Sequence, residues 1–371
     1  MVETALGGAV TRPSVVIDAR IVDADSMTRT GLGRYTSEVV CGLRLARPHW
    51  DLVVLSNRRD LFGAPPAIRR TRWPTASGLG RVTWLQAVSR LELARLRPDL
   101  WFGTAYVVPW WWKGASVVTV HDLVFLTMPA RYRGRLNAAH ASWATRSSVA
   151  RARTVICDSA HTRGALMEVL DVPSDRLEVV HLGVSEAFRP GGPRRVADPY
   201  LLQVGTFEAR KGLDTLADAL VRLRAEGSPL RAVLAGRPGW GAETDLRRLE
   251  ELGAEIVVSP DDAELAELYR GALAVTLLSR EEGFGLTAAE AMASGTPLVC
   301  TDLPAVREFA GSAPLYANPG DSVAVAGHLR ALLEDPAERR RRAVLGLDLS
   351  RELDWARVAE RHAEIIERHL P

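Results

Sequence analysis

Short apolar runs rich in β-branched residues alternate along this chain with longer segments of helical period. The runs at residues 14–18, 51–55, 99–102, 116–120, 153–158 and 177–181 have the length and composition of buried parallel strands. Between them, residues 84–96, 131–153 and 160–170 carry apolar side chains three and four positions apart, as helices do. A stretch rich in proline and glycine, residues 188–199, breaks the alternation. The pattern then restarts, with strand-like runs at 200–204, 231–235, 255–258, 275–278 and 298–300. Helical segments start near Leu213, Asp262 and Thr287 and also cover 243–252, 322–334, 336–345 and 354–369. Residues 58–80 and 315–321 read as loops. This order predicts an α/β fold with parallel sheets, divided into domains at 1–188 and 189–353, with no short internal repeat.

The sharpest local pattern is residues 280–300, REEGFGLTAAEAMASGTPLVC. An apolar run leads in and another leads out. Gly295 and Pro297 end the helix between them, so the unit reads strand, glycine-bearing turn, helix, strand. Such a turn lies beyond the carboxyl end of its strand, where open parallel sheets bind ligands. Gly283 and Gly285 let backbone N–H groups approach an anion, and the helix start adds partial positive charge, which suits a diphosphate. Glu282 and Glu290 repel phosphate but accept hydrogen bonds from neutral hydroxyls, as a sugar and a ribose offer.

Three other segments carry chemistry. Gly205 and Thr206 turn the chain after the 200–204 run, and Arg210, Lys211 and Gly212 precede a helix. Cations there oppose the helix dipole, which favours a phosphate-holding pair over a merely solvated one. Only Lys113 and Lys211 are lysines among 47 basic residues, so Lys211 stands where arginine would not serve. The 116–120 run delivers His121 to the crevice, with Asp122 capping the next element; the bland alternative is a core histidine satisfied by backbone. Residues 30–46, TGLGRYTSEVVCGLRLA, open with Gly31, Gly33 and Arg34. They make either an anion-facing loop or a plain turn and helix start. The missing third glycine and the distant strand rule out a dinucleotide fingerprint and speak against a dehydrogenase.

Composition narrows the field. At 371 residues and a net charge of +2, the chain has room for two cores and no bias toward nucleic acid. Cys41, Cys157 and Cys300 are too few and too scattered for a metal site or disulfide framework, and read as buried, reduced thiols of a cytoplasmic protein. No signal peptide or membrane-spanning run is expected. Asp261 and Asp262 read as helix caps, and no metal is predicted. The three tryptophans Trp110–Trp112 cannot all face one core, so at least one faces solvent, an acceptor or a membrane surface. The arginines of 131–153 read as a solvated helix face, with a peripheral membrane contact as the alternative.

A Glu, seven residues and a second Glu, with Gly-Phe-Gly-Leu after the first, resembles the donor-site motif of the retaining glycosyltransferases of the GT-B fold, family 4. The resemblance spans nearly the whole chain and is weakest over 56–115. It implies two Rossmann-like parallel-sheet domains facing across a cleft. The N-terminal one (1–188, with a C-terminal crossover helix, about 354–371, anchored by Trp355) would bind the acceptor. The C-terminal one (189–353) would bind the nucleotide-sugar donor. It further implies that Glu282 and His121 contact the transferred sugar. Gly205, Thr206, Arg210 and Lys211, with the backbone of Gly283, Phe284, Gly285 and Leu286, would hold the donor phosphates. Glu290 would bind ribose, and Gly31, Gly33 and Arg34 would lie near the acceptor and phosphates. Thr287 stands where many relatives have proline, and the basic pair is adjacent where many relatives separate it. The activity implied is metal- and cofactor-independent, retaining transfer of a hexosyl or deoxyhexosyl unit, with a lean to a mannose-like donor. The acceptor would be a hydroxyl of a glycan, glycolipid or natural product. The competing readings are a non-hydrolysing nucleotide-sugar epimerase, whose acid/base residues find no place, and a catalytically silent nucleotide-sugar-binding partner. The latter would tend to lose Glu282 or His121, and both are present.

Overall fold

In the computed structural model, residues 12–58, 60–62, 67–69, 78–94, 96–132, 134–195 and 199–371 are described. The first sheet has seven strands: β1 (Ser14–Asp18), β2 (Asp51–Leu55), β3 (Ala67–Arg69), β4 (Leu100–Gly103), β5 (Ala115–Val120), β6 (Thr154–Cys157) and β7 (Leu177–Val179). Their order is β3-β2-β1-β4-β5-β6-β7, every pair parallel. The second sheet has six: β8 (Tyr200–Phe207), β9 (Arg231–Pro238), β10 (Glu255–Val258), β11 (Ala274–Leu277), β12 (Leu298–Thr301) and β13 (Leu315–Ala317). Its order is β10-β9-β8-β11-β12-β13, again parallel throughout. In each sheet the order reverses beside the first strand, between β1 and β4 and between β8 and β11. That reversal opens a crevice at the carboxyl ends, so two crevices are available to face one another.

The central strands are Val- and Ile-rich because helices cover both faces; Val15, Val16, Ile17, Val117, Val118, Val155 and Ile156 have no exposed surface. Several expectations need correction. Residues 315–321 are not all loop, since β13 pairs with β12. The region 58–80 holds β3 and the start of the helix Gly78–Thr83; 58 and 60–62 are loop or turn as expected, and 59, 63–66 and 70–77 lie outside the described residues. Gly205 and Thr206 do not turn the chain. β8 runs on through them to Phe207, with Gly205 opposite Gly236. Both glycines have positive φ, and a Cβ on Gly236 would meet the Gly205 carbonyl oxygen at 1.9 Å, so the pair needs glycine to pass at that distance.

Gly31 and Gly33 are likewise not loop residues. They lie in the first turn of the helix Gly31–Ala46, where Thr30 Oγ1 accepts from the Gly33 N–H at 3.2 Å. A Cβ on Gly33 would strike the Met27 carbonyl oxygen at 2.2 Å. The C-terminal helix Trp355–Glu367 buries Trp355, Val358, Ala359, His362, Ala363, Ile365 and Ile366. It returns to the first domain and packs on Gly31–Ala46, so closely that a Cβ on Gly42 would lie 2.3 Å from that of Ala359.

Cys157 and Cys300 are buried free thiols, but Cys41 is only half-buried. Trp111 and Trp112 pack against Trp101 and donate to the carbonyls of Leu85 and Ala115, whereas Trp110 is 56% exposed. None of the three lines the cleft between the domains, which removes the footing for an acceptor contact there. Among the described residues no helix is long and apolar enough to cross a membrane.

Candidate active site in the interdomain cleft

The two crevices meet in one cleft of about 850 Å³. Its floor on the second domain is the β11-to-helix connection. Glu282 precedes the turn, Gly285 takes φ +103°, and the helix Leu286–Ala293 begins at once, leaving its first N–H groups directed outward. Phe284 is buried and stacks on Phe309 with ring centroids 4.5 Å apart, so it anchors the turn and contributes only backbone to the cleft. Gly283 is a point of close approach between the lobes. A Cβ there would lie 1.7 Å from the His121 carbonyl oxygen, and the Thr162 hydroxyl reaches both the His121 (3.2 Å) and Gly283 (3.3 Å) carbonyls.

Arg210 and Lys211 are bound to this turn. The Arg280 N–H donates to the Arg210 carbonyl at 2.8 Å, and Arg210 Nη1 donates to the Glu281 carbonyl at 3.0 Å. Lys211 Nζ lies 2.6 Å from Glu282 Oε1, which also accepts from the Ser279 hydroxyl at 2.6 Å. Arg210 lies between Glu208 (2.9 Å) and Glu282 (3.6 Å). Burial works against the Glu282 charge, but Lys211 and Arg210 outweigh it and hold the carboxyl down at about 2. Burial likewise opposes the Arg210 charge, and Glu282 and Glu208 overcome it, so that guanidinium stays charged. Gly212, at φ +68°, lets the chain pass Leu278; a Cβ would meet that carbonyl oxygen at 2.0 Å.

From the first domain, Arg34 crosses the cleft. It pairs with Glu290, whose other oxygen accepts from the Tyr269 hydroxyl at 2.8 Å, and with Asp262 at 2.6 Å. Arg34 therefore does meet anions, but they are side chains of the opposite domain. Asp261 caps its helix by accepting from the Glu264 N–H at 2.9 Å, while Asp262 serves the interdomain bridge.

His121 sits at the carboxyl end of β5 as the sequence implies, with one difference. Its Nδ1 is 2.6 Å from Asp158 Oδ2 and its Nε2 is 2.9 Å from the Thr104 carbonyl. A carbonyl only accepts, so Nε2 carries a proton; the proton between Nδ1 and Oδ2 fills the other position. No ring nitrogen is left to contact a substrate. Burial opposes the imidazolium, but Asp158 more than compensates and the pKa is raised. Tyr35 and Tyr106 pack edge-on to the ring at 4.5 and 5.7 Å, and Tyr106 holds φ +58° to do so.

Every sequence-derived site residue thus lies on this cleft or just behind it: Gly31, Arg34, His121, Gly205, Thr206, Arg210, Lys211, Glu282, Gly283, Phe284, Gly285, Leu286 and Glu290 line it, and Gly33 supports it from below. Asp158, Glu208, Tyr269 and Trp240 were missed. Asp158 was within reach of the rule that found His121, because it directly follows the next strand, β6. No group of three or more His, Cys, Asp or Glu suited to a metal occurs among the described residues.

Two family profiles divide the chain between them. "Glycosyltransferase Family 4" matches residues 29–188 and "Glycosyl transferases group 1" matches residues 184–344. The chain belongs to the group 1 glycosyltransferases of the GT-B fold. The O-antigen chain mannosyltransferase B of Escherichia coli is 27% identical over 360 residues, 88% of this chain and 93% of that protein. Sucrose-phosphate synthase of Thermosynechococcus elongatus superposes with a TM-score of 0.76 at 21% identity, over 96% of this chain and 99% of that one. HepE of Anabaena superposes at 0.72 and 18% identity, over 96% and 99%. As a group 1 glycosyltransferase, the protein is an enzyme that transfers a hexosyl unit from a nucleotide sugar.

Proposed function

We propose that the enzyme moves a mannose-like hexosyl or deoxyhexosyl unit from a nucleotide-diphosphate sugar to a hydroxyl of a glycan or glycolipid, with retention at the anomeric carbon and without a metal. The observation that carries this reading is the contact of Lys211 and Arg210 with the Glu282–Gly285 turn. It supplies two cations and a set of free N–H groups at one place, flanked by carboxylates. Cleavage of the anomeric C–O bond sends its electron pair to the diphosphate. Arg210, Lys211 and the amides of Gly283–Leu286 stabilise that charge, each donor contributing about 3–4 kcal/mol in comparable sites. Glu282 leaves Lys211 for a sugar hydroxyl and favours the positive ring that develops. The departing phosphate oxygen takes the acceptor proton on the same face, which gives retention. Glu290 exchanges Arg34 for the ribose hydroxyls, and the released Arg34 faces the phosphates.

The relative in E. coli is by name an O-antigen mannosyltransferase, which supports the donor sugar and a glycan acceptor; HepE is described in complex with UDP-glucose. A thermal-shift panel of GDP-mannose, GDP-fucose, UDP-glucose and dTDP-rhamnose tests the reading. The true donor at a hundred times its Kd adds about 2.7 kcal/mol of stability. Proton NMR of the product formed from that donor reports the anomeric configuration. No stabilisation by any of the four, or an inverted product, overturns the corresponding part.

A further inference from the structure

We propose that Asp158 is a sugar-hydroxyl acceptor in this cleft, and that the His121–Asp158 pair presents its carboxylate, not its imidazole, to the substrate. The proposal rests on the reading of the cleft as a nucleotide-sugar site. Asp158 follows β6, lines the cleft, and has a side chain only 3% exposed. Its Oδ2 is taken by His121 Nδ1 at 2.6 Å. Its Oδ1 is buried, and no donor reaches it among the described residues. A buried carboxylate oxygen without a donor costs about 1–3 kcal/mol or more, so the site is built to receive one. The imidazole cannot exchange roles, since both its nitrogens are engaged and two tyrosine rings fix its plane.

The chemistry of the missing donor follows from charge. A carboxylate repels the diphosphate, which belongs with Arg210 and Lys211 on the other lobe. It accepts from a neutral hydroxyl. Asp158 on the first domain and Glu282 on the second then grip the transferred sugar from opposite sides, and the hydroxyl pattern of that sugar becomes a requirement for binding.

The test compares Asp158→Asn with the wild type, using matched ligand pairs in calorimetry: GDP against GDP-mannose and UDP against UDP-glucose. GDP or UDP affinity is expected to be unchanged, because neither ligand carries the transferred sugar that Asp158 is proposed to hold. The affinity of the nucleotide sugar, and kcat/KM, are expected to fall about 10- to 100-fold, the range for a hydroxyl bonded to a charged partner. A second arm needs no variant. Among monodeoxy analogues of the active donor, one loses the same factor on the wild type and loses nothing further on Asp158→Asn. Equal loss of GDP and GDP-mannose affinity, a variant as active as wild type, or deoxy analogues that all bind equally would overturn the proposal. If the wild type binds no nucleotide sugar at all, the reading of the cleft has failed instead, and the two failures are distinct.

Discussion

Replacing Glu282 by Gln should slow the enzyme and yet tighten its grip on free nucleotide. Glu282 holds Lys211 at 2.6 Å and Arg210 at 3.6 Å, the same cations that the proposed mechanism gives to the diphosphate. The carboxylate therefore competes with the ligand from inside the site. Its carboxyl is held at about 2 against an ordinary 4.5. That difference amounts to about 3 kcal/mol of folding stability. Because the folded value is depressed, the contribution is fully present above pH 4.5 and is lost as the pH falls through about 2. Gln keeps the shape and removes the charge. The unliganded variant should melt several degrees lower at pH 7, and the deficit should shrink as both proteins are titrated toward pH 2. GDP or UDP affinity should rise about tenfold, or about 1.4 kcal/mol, because freeing Lys211 no longer breaks an ion pair. Turnover should fall at least about 100-fold, since the developing positive charge on the sugar loses its counter-ion. Calorimetric titration with GDP and UDP, melting curves across pH and initial rates with the active donor measure the three effects. A stable variant that binds nucleotide more weakly than wild type would refute the competition, and one with wild-type turnover would refute the catalytic role.

Lys211→Arg should lower kcat/KM at least about tenfold, since a longer planar cation cannot occupy the 2.6 Å contact with Glu282 while its own backbone carbonyl accepts from Gln203; a steady-state rate equal to wild type counts against this. Arg34→Ala removes the bridge to Glu290 and Asp262, so small-angle scattering should show a larger radius of gyration without ligand; an unchanged radius says the lobes are held by other contacts. Gly42→Ala ordinarily favours a helix by about 1 kcal/mol, but here the added methyl collides with Ala359. Overpacking of about 1–3 kcal/mol should dominate, with a lower melting temperature and faster proteolysis of the C-terminal helix, and a more stable variant would reverse the sign of that reasoning.

Most of the strands that were legible in the sequence are fully buried, as β4, β6, β11 and β12 are, and only β-branched and apolar residues fit there. The edge strands β7 and β10 were legible from their apolar runs at 177–181 and 255–258, whereas the edge strands β3 and β13 are three residues each and were read as loop. The end of β8 was misread for a different reason. Gly205 looks like a turn residue, and only its pairing with Gly236 thirty-one positions later reveals that close strand passage is what requires it. The site was legible where chemistry is local. Glu282, the glycine turn and Glu290 lie within nine residues, and the basic pair precedes a helix where cations are otherwise unfavourable. What the charges touch was not legible, because Arg34 and Glu290 are 256 positions apart.

These distant pairings change what ligand binding means here. Each group assigned to the donor already has a partner of opposite sign: Lys211 with Glu282, Arg210 with Glu208, Arg34 with Glu290, His121 with Asp158. A half-buried charge without a partner is costly, and the cleft offsets that cost by pairing its charges from within. Binding must then be an exchange, in which the diphosphate replaces carboxylates at the cations and hydroxyls replace cations at the carboxylates. A ligand offering only one half of that exchange, phosphate without sugar or sugar without phosphate, strands the released partners and gains little. A nucleotide sugar offers both halves at once, which is how a site built from ordinary ion pairs comes to select an activated sugar over its fragments.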